Sequence, residues 1–274
     1  MHITNLFVYP VKSLRGCAVD AASVDELGLV GDRRFLVVDA SGQFLTQRVL
    51  PRMALIATAL DDTDLSLRAD GFGQIRVPLR ADDAPVRTVS IWKSAGLKAE
   101  DCGDDCADWL HEMLAVECRL VRIGAQFHRP MTKSVAHPGD AVAFPDAFPF
   151  MIVSEGSLAE LNRRIVSAGE PPVPMNRFRP SFVVSGGEPH VEDTWPRIKA
   201  GNLILRAGGP CGRCIVTTTD QQTGERGKEP LRTLNTYRRA ADEPTTINFG
   251  QNFIHETKVG SLRVGDEVTV LPLT

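Results

Sequence analysis

The sequence predicts an α+β fold that is mainly β, and two observations carry this. The first hundred residues hold short β-branched and aromatic runs separated by glycine-bearing turns, the mark of a barrel or a strongly curled sheet. Only three stretches space their apolar residues as a helix does, and more strands lie between and after them. At 274 residues the chain suffices for one large domain or two packed lobes around a sizeable core.

The elements follow in order. Leu6, Phe7 and Val8 open the first strand. Phe35 to Val38, a turn from Asp39 to Gly42, and Gln43 to Leu45 read as a hairpin, with glycine supplying the turn geometry. Ser66 to Arg68 and Ile75 to Val77 repeat that pattern, and Val89 to Trp92 adds a strand. A helix is expected after Asp104 and Asp105, whose charges suit the positive end of the helix dipole, with Ala107, Leu110 and Leu114 on one face. A second helix begins at Ser154, a good N-cap, with Leu158, Leu161 and Ile165 inward. A third starts at Pro230 and carries Leu231, Leu234 and Tyr237. Strands are expected at Phe182 to Val184, Leu203 to Leu205, Ile215 to Thr219, and Leu262 to Leu271. The irregular stretch from Ala125 to Gly139, with Pro130 and Pro138, reads as a flap or crossover.

Composition narrows the function. The chain is 43% hydrophobic and 24% charged, with net charge −3 and no block of like charge. That speaks against a nucleic-acid or membrane-surface role. No apolar run approaches the roughly 18 residues of a membrane span. The N-terminus MHITNLFVYPVKS lacks a signal-peptide layout and reads as a strand, so a cytoplasmic protein is expected. Its six cysteines are then reduced thiols or ligands rather than a disulfide framework. Its six histidines are scattered, none paired at metal-ligand spacing.

The chemistry concentrates in GGPCGRCIVTTTD, Gly208 to Asp220. Four readings of Cys211-x-x-Cys214 compete. A zinc site wants a second close pair, and the nearest, Cys102 and Cys106, is about a hundred residues away. A redox dithiol wants the pair opening a helix, whereas a β-branched run follows here. Two buried small hydrophobes are the plain structural reading, favoured for Cys211. Cys214, at a loop-to-strand junction beside Arg213, suits a single metal-ligating thiolate, because a neighbouring cation favours the ligating form. Gly208, Gly209 and Gly212 would let the backbone approach a bulky ligand.

Wider motifs add a resemblance. YPVKSLRG, GDRRFLVVD, LTQRVLPRMALI, SEGSLAELNRR, NRFRPSFVV, EDTW, GPCGRCIVTTTD, KEPLRTLNTYR, FGQNF and VGDEV occur in an order and spacing that resemble MOSC-domain proteins with their N-terminal β-barrel domain, the amidoxime-reducing components in particular. The resemblance spans residues 2 to 272. It implies an N-terminal barrel-like lobe over residues 1–120 packed on a β-barrel MOSC domain with flanking helices over 121–274. It implies a pyranopterin molybdenum cofactor whose metal is bound by Cys214, the one catalytic residue expected. A soft thiolate suits a metal already held by sulfur. By the same resemblance Lys12, Ser13 and Arg33 hold the phosphate end, Arg177 and Arg179 reach the pterin or the entrance, and Asp146 and Ser154 frame the pocket, Ser154 chiefly as a cap. Relatives often carry Thr-Ser where this chain has Ala147 and Phe148, and many have an aromatic where Asn252 stands. Thr46 and Arg48 match a segment without an assigned role. Pyridoxal phosphate binding attaches to the resemblance at domain level only.

The activity so implied is reduction of N-hydroxylated compounds such as hydroxylamines, amidoximes and N-hydroxylated bases. The alternative is a cofactor or sulfur carrier without turnover. Cys17, Cys102, Cys106 and Cys118 do not form a ferredoxin-type C-x4-C-x2-C pattern. The expected partners are therefore a small-molecule substrate and an external electron donor: ferredoxin, flavodoxin, or a cytochrome b5-like protein with a reductase.

Overall fold

The strands that are apolar on both faces lie at the centre of the molecule. Phe150–Ser154 and Phe182–Val184 are buried at every position and pair in parallel, with Ile152 opposite Phe182. Continuous apolar runs are what a strand covered on both faces requires. A computed structural model describes residues 1–272. In it these two strands sit within an eight-stranded sheet ordered Val268–Leu271, Arg197–Ala200, Leu203–Arg213, Ile247–His255, Phe150–Ser154, Phe182–Val184, Ile3–Val8, Cys17–Val19. The sheet curls into a half-barrel, so the fold is mainly β as expected.

Alternation along the central strand divides the core. Phe150 and Ile152 face a cluster with Leu6, Ile198, Leu205 and Phe253. Met151 and Val153 face the opposite way, against Leu161, Ile165, Phe178 and Phe249. Leu161 and Ile165 come from a helix at Glu155–Ser167. Its N-cap is Ser154, whose hydroxyl accepts from the Ser157 amide at 3.1 Å. Each fully buried Leu or Ile adds about 1.5–3 kcal/mol.

The rest of the N-terminal half forms a four-stranded sheet ordered Phe35–Asp39, Cys118–Ile123, Ser94–Asp101, Val86–Ile91, and a meander of Ala57–Leu60, Asp64–Ala69 and Gly73–Pro78. A helix at Asp104–Leu114 buries Leu110 and Met113 against Phe35, Val37, Leu65 and Leu67. Sheet membership does not follow chain order. Ile3–Val8 pairs with Phe182–Val184, and Ala21–Asp25 pairs with Gly260–Arg263. The first residues of the chain therefore tie the two halves together.

Three elements depart from expectation. Leu262 to Leu271 is two strands, Gly260–Arg263 and Val268–Leu271, separated by a turn at Gly265, whose φ is 94°. Val264 and Val270 are exposed, while Val268 is buried. The third helix is a single turn, Leu231–Leu234, that stops short of Tyr237. The run after the cysteine motif, Ile215–Thr218, is a 3-10 turn instead of a strand. Here the threonine hydroxyls compete with a ladder: Thr217 Oγ1 donates to the Cys214 carbonyl at 2.9 Å and Thr218 Oγ1 to that of Ile215 at 2.8 Å. The strand precedes Cys214 and ends at Arg213.

Candidate functional site

The Leu203–Arg213 strand carries the cysteine motif up to a cleft of about 340 Å³ between the halves. Its pairing with Ile247–His255 is irregular at Ala207/Gly209 and again at Pro210/Gly212. Such bulges re-aim side chains at the rims of sites. Gly209 supplies the positive φ, 101°, that the first bulge needs. Gly208 is required for a different reason than ligand approach, since a Cβ there would stand 2.4 Å from the Phe148 ring. Cys214 follows the strand in an extended conformation and heads the 3-10 turn.

All seven residues expected at a site line this one cleft: Lys12, Ser13, Arg33, Asp146, Arg177, Arg179 and Cys214. Ser154 does not. It is fully buried behind the cleft, its hydroxyl donating to Glu192 Oε2 at 2.8 Å, and serves as a cap.

The cleft is cationic. Lys12, Arg33, Arg48, Lys133, Arg177, Arg179 and Arg213 line it, against the single carboxylate of Asp146. Asp146 collects Lys12 Nζ, Arg48 Nη2 at 3.0 Å and Trp92 Nε1 at 3.0 Å. Burial works against its charge, but Lys12 and Arg48 outweigh that and hold the carboxyl far below the usual carboxylate range. Lys12 is itself nearly enclosed. Burial lowers it from 10.5 to about 8, a fall that Asp146 limits.

Tyr9, the residue after the first strand, anchors two of the arginines. The Arg33 guanidinium lies 4.5 Å from its ring centroid and that of Arg179 4.3 Å. Arg33 Nη1 also donates to Asp32 at 2.6 Å, and Arg179 Nη1 to the Leu14 carbonyl at 2.7 Å. Burial, with Arg33 close by, draws Arg179 down to about 10. Ser13, Arg33 and Arg179 all have left-handed backbones, with φ of 69°, 47° and 56°. For non-glycine residues that conformation costs about 1–3 kcal/mol each and clusters where function requires it.

Arg213, the cation next to Cys214 in sequence, makes no hydrogen bond to it. It turns to Cys211, donating from Nη1 to Sγ at 2.9 Å. Arg48, from the other half of the chain, lines the cleft with Cys214. Burial opposes the Arg48 charge, but Asp146 and the Cys214 sulfur together raise its pKa. Arg48 stacks 4.7 Å from the Trp92 ring centroid. Its loop is held by Arg226, which donates to the carbonyls of Gln47 and Arg48, and by Gln47, which donates to the Ser13 carbonyl at 2.7 Å. Arg48, Tyr9 and Lys133 are the residues that sequence reasoning passed over. The only signal for Arg48 was its place in a matched segment without an assigned role.

The stretch expected as a flap or crossover is pinned. Buried Arg129 donates to the carbonyls of Ala143 at 3.0 Å, Pro145 at 2.7 Å and Asp146 at 3.1 Å. Asp140 accepts from Lys258 at 2.9 Å and pairs with Arg206. Phe148 and Asn252, at the positions where this chain departs from the resemblance, both line the cleft. Asn252 Nδ2 donates to the Pro210 carbonyl at 3.2 Å.

These residues suit the anionic, sulfur-bearing cofactor that the motifs imply. Arg177 Nε, Arg179 Nη2 and Arg213 Nε are buried without a hydrogen-bond partner. Unused guanidinium donors and soft cysteine sulfur, from Cys211 and Cys214, in a cleft with an excess of cations, match a phosphate-bearing dithiolene ligand.

Comparison with known proteins points the same way. Residues 1–117 match the MOSC N-terminal beta barrel domain and residues 139–269 match the MOSC domain. The chain is 36% identical over 281 residues to mitochondrial amidoxime reducing component 2 of Bos taurus, across 97% of this chain and 82% of that protein. It is 34% identical over 285 residues to mitochondrial amidoxime-reducing component 1 of Homo sapiens, across 98% and 82%. It is 34% identical over 276 residues to component 1 of Danio rerio, across 97% and 83%. With both domains in place and identity running nearly end to end, the chain belongs to the MOSC-domain family that includes the amidoxime-reducing components.

Proposed function

We propose that the protein is a molybdenum-cofactor-dependent reductase of N-hydroxylated compounds. One observation carries the proposal: Cys214 lies in a cleft lined by seven cations, which three carboxylates, Asp146, Asp32 and Asp220, only partly balance, and several buried guanidinium donors lack partners. The names of the relatives, amidoxime-reducing components, support the substrate class. When bound, the cofactor supplies the two-electron chemistry that takes an N–OH group to the amine and water.

The chain's own residues hold and orient. Lys12, Ser13 and Arg33 would bind the phosphate end, each charged hydrogen bond contributing ~1.5–3 kcal/mol. Arg177 and Arg179 would engage the pterin, for which planar guanidinium donors are suited. Cys214 would ligate the metal, with Arg48 beside its sulfur. Phe148, Met151 and Pro210 supply apolar wall that limits water around the substrate. Electrons would come from an external donor protein of the ferredoxin, flavodoxin or cytochrome b5 kind.

The test is metal retention alongside turnover. Protein from a cofactor-competent host should keep stoichiometric molybdenum through gel filtration and reduce benzamidoxime with a chemical donor. Release of the cofactor to an apo-enzyme without turnover would indicate a carrier instead. Cys214→Ser should lose the metal while Cys211→Ser keeps it. Unchanged molybdenum in Cys214→Ser would refute the assignment.

A further inference from the structure

A second cavity, of about 730 Å³, lies on the reverse side of the wall that carries the cationic cleft. Consecutive residues divide between the two. Val8 and Arg34 line this cavity, while Tyr9 and Arg33 form the stacked pair of the cleft. The cavity is larger than the cleft, and most of its lining is apolar: Val8, Val19, Val30, Leu60, Leu79 and Ile123 contribute. Val30 is 48% exposed and adds accessible apolar surface to the lining.

Two buried arginines stand in this apolar wall. Arg34 Nη2 donates to Asp25 Oδ1 at 2.6 Å and to the Leu29 carbonyl at 3.1 Å, leaving Nε without a partner. Arg122 donates from Nε to Glu100 at 2.9 Å and from Nη1 to the Pro78 carbonyl at 2.8 Å, leaving Nη2 without one. Their relative exposures are 8% and 2%. Arg80 sits on the rim, exposed and without an ion pair among the described residues. The lining holds three carboxylates, Asp25, Asp61 and Glu100, but Asp61 is taken by Arg76 outside the cavity, at 2.6 Å. Arg76 is shared with Asp64 at 2.9 Å, so the charges around the cavity balance, and Arg80 is the one lining arginine without a carboxylate partner among the described residues. Apolar surface, guanidinium donors without partners and an arginine on the rim free of any carboxylate describe the complement of one ligand chemistry.

We propose that this cavity is a second ligand site, for a soluble amphiphilic monoanion with an aliphatic body and one carboxylate. The body covers the valine and leucine wall, and the carboxylate accepts from Arg34, Arg122 and Arg80. A cavity of this size with a few convergent polar groups is the usual form of a small-molecule site. Nothing in the proposal depends on molybdenum, so it can fail while the reductase assignment stands, and the reverse.

Cys17 lines the same cavity and serves as a reporter. The experiment follows alkylation of Cys17 by N-ethylmaleimide, read by peptide mass, as decanoate is titrated into the full chain, with calorimetry alongside. Decanoate should bind saturably and protect Cys17. Decylamine, of opposite charge, and acetate, without the chain, should do neither. Arg80→Glu, an exposed change that leaves the core intact, should weaken decanoate about tenfold. Ala22→Phe, which fills the cavity, should abolish protection. Absence of saturable binding, protection by decylamine equal to that by decanoate, or binding indifferent to both variants would overturn the proposal.

Discussion

Lys12 gives the sharpest test of the electrostatics of the cleft. It is the one ordinary amine among the groups proposed to hold phosphate, and burial takes it from 10.5 to about 8. That fall corresponds to about 3 kcal/mol of disfavour for the charged form. Lys12 therefore passes from roughly nine-tenths charged at pH 7 to roughly one-tenth at pH 9, whereas a solvated lysine titrates near ~10.4. If only the ammonium form binds, the affinity of the apo protein for a phosphomonoester should fall about tenfold across that range, or about 1.4 kcal/mol. The probe itself does not change, since its second pKa is about 6. Isothermal titration of glycerol phosphate at pH 7, 8 and 9 measures this. Lys12→Met should bind more weakly at pH 7 and lose the step, and Lys12→Arg should bind at both ends of the range. The sign for stability is fixed by the same displacement. Between about 8 and 10.5 the unfolded chain keeps a proton that the folded chain has released, so stability rises with pH over that window relative to Lys12→Met. An affinity that is flat to pH 9, or a step that survives in Lys12→Met, would refute the reasoning.

Two further outcomes follow from packing. Arg129→Met strips hydrogen bonds from three carbonyls around Asp146 and should cost ~2–4 kcal/mol in chemical denaturation, with weaker phosphomonoester binding through the loosened Asp146 loop. Full stability in that variant would show that the loop is held by other contacts. Gly208→Ala places a methyl 2.4 Å from Phe148 and must displace its ring. The Michaelis constant for N-hydroxylated substrates should rise several-fold at unchanged molybdenum content, and an unchanged constant would mean that Phe148 does not contact substrate.

How much of the site was legible depends on the range of the interaction. Lys12, Ser13 and Arg33 stood in recognisable motifs, as did Arg177, Arg179 and Cys214, and the cleft gathers all of them. The pairing among them was not legible. Arg213 adjoins Cys214 in sequence, yet its guanidinium binds Cys211, because the extended strand sends alternate side chains to opposite faces. Arg48 reaches Asp146 across 98 positions of chain, a contact no local pattern announces. The strand expected after Cys214 failed for a local reason that propensity alone hides: β-branched threonines favour strands, but their hydroxyls also close turns onto nearby carbonyls.

By itself the sequence determined the mainly β character, the two longer helices and the residue types available for chemistry, because periodicity and capping act within a few residues. The tertiary structure decided that the opening strands join the sheet of the far half, that Arg213 turns to Cys211 while Arg48 reaches Asp146, and that a neighbouring segment walls a second cavity. These depend on sheet register and charge pairing between distant segments, whose energies exist only after the chain has closed on itself.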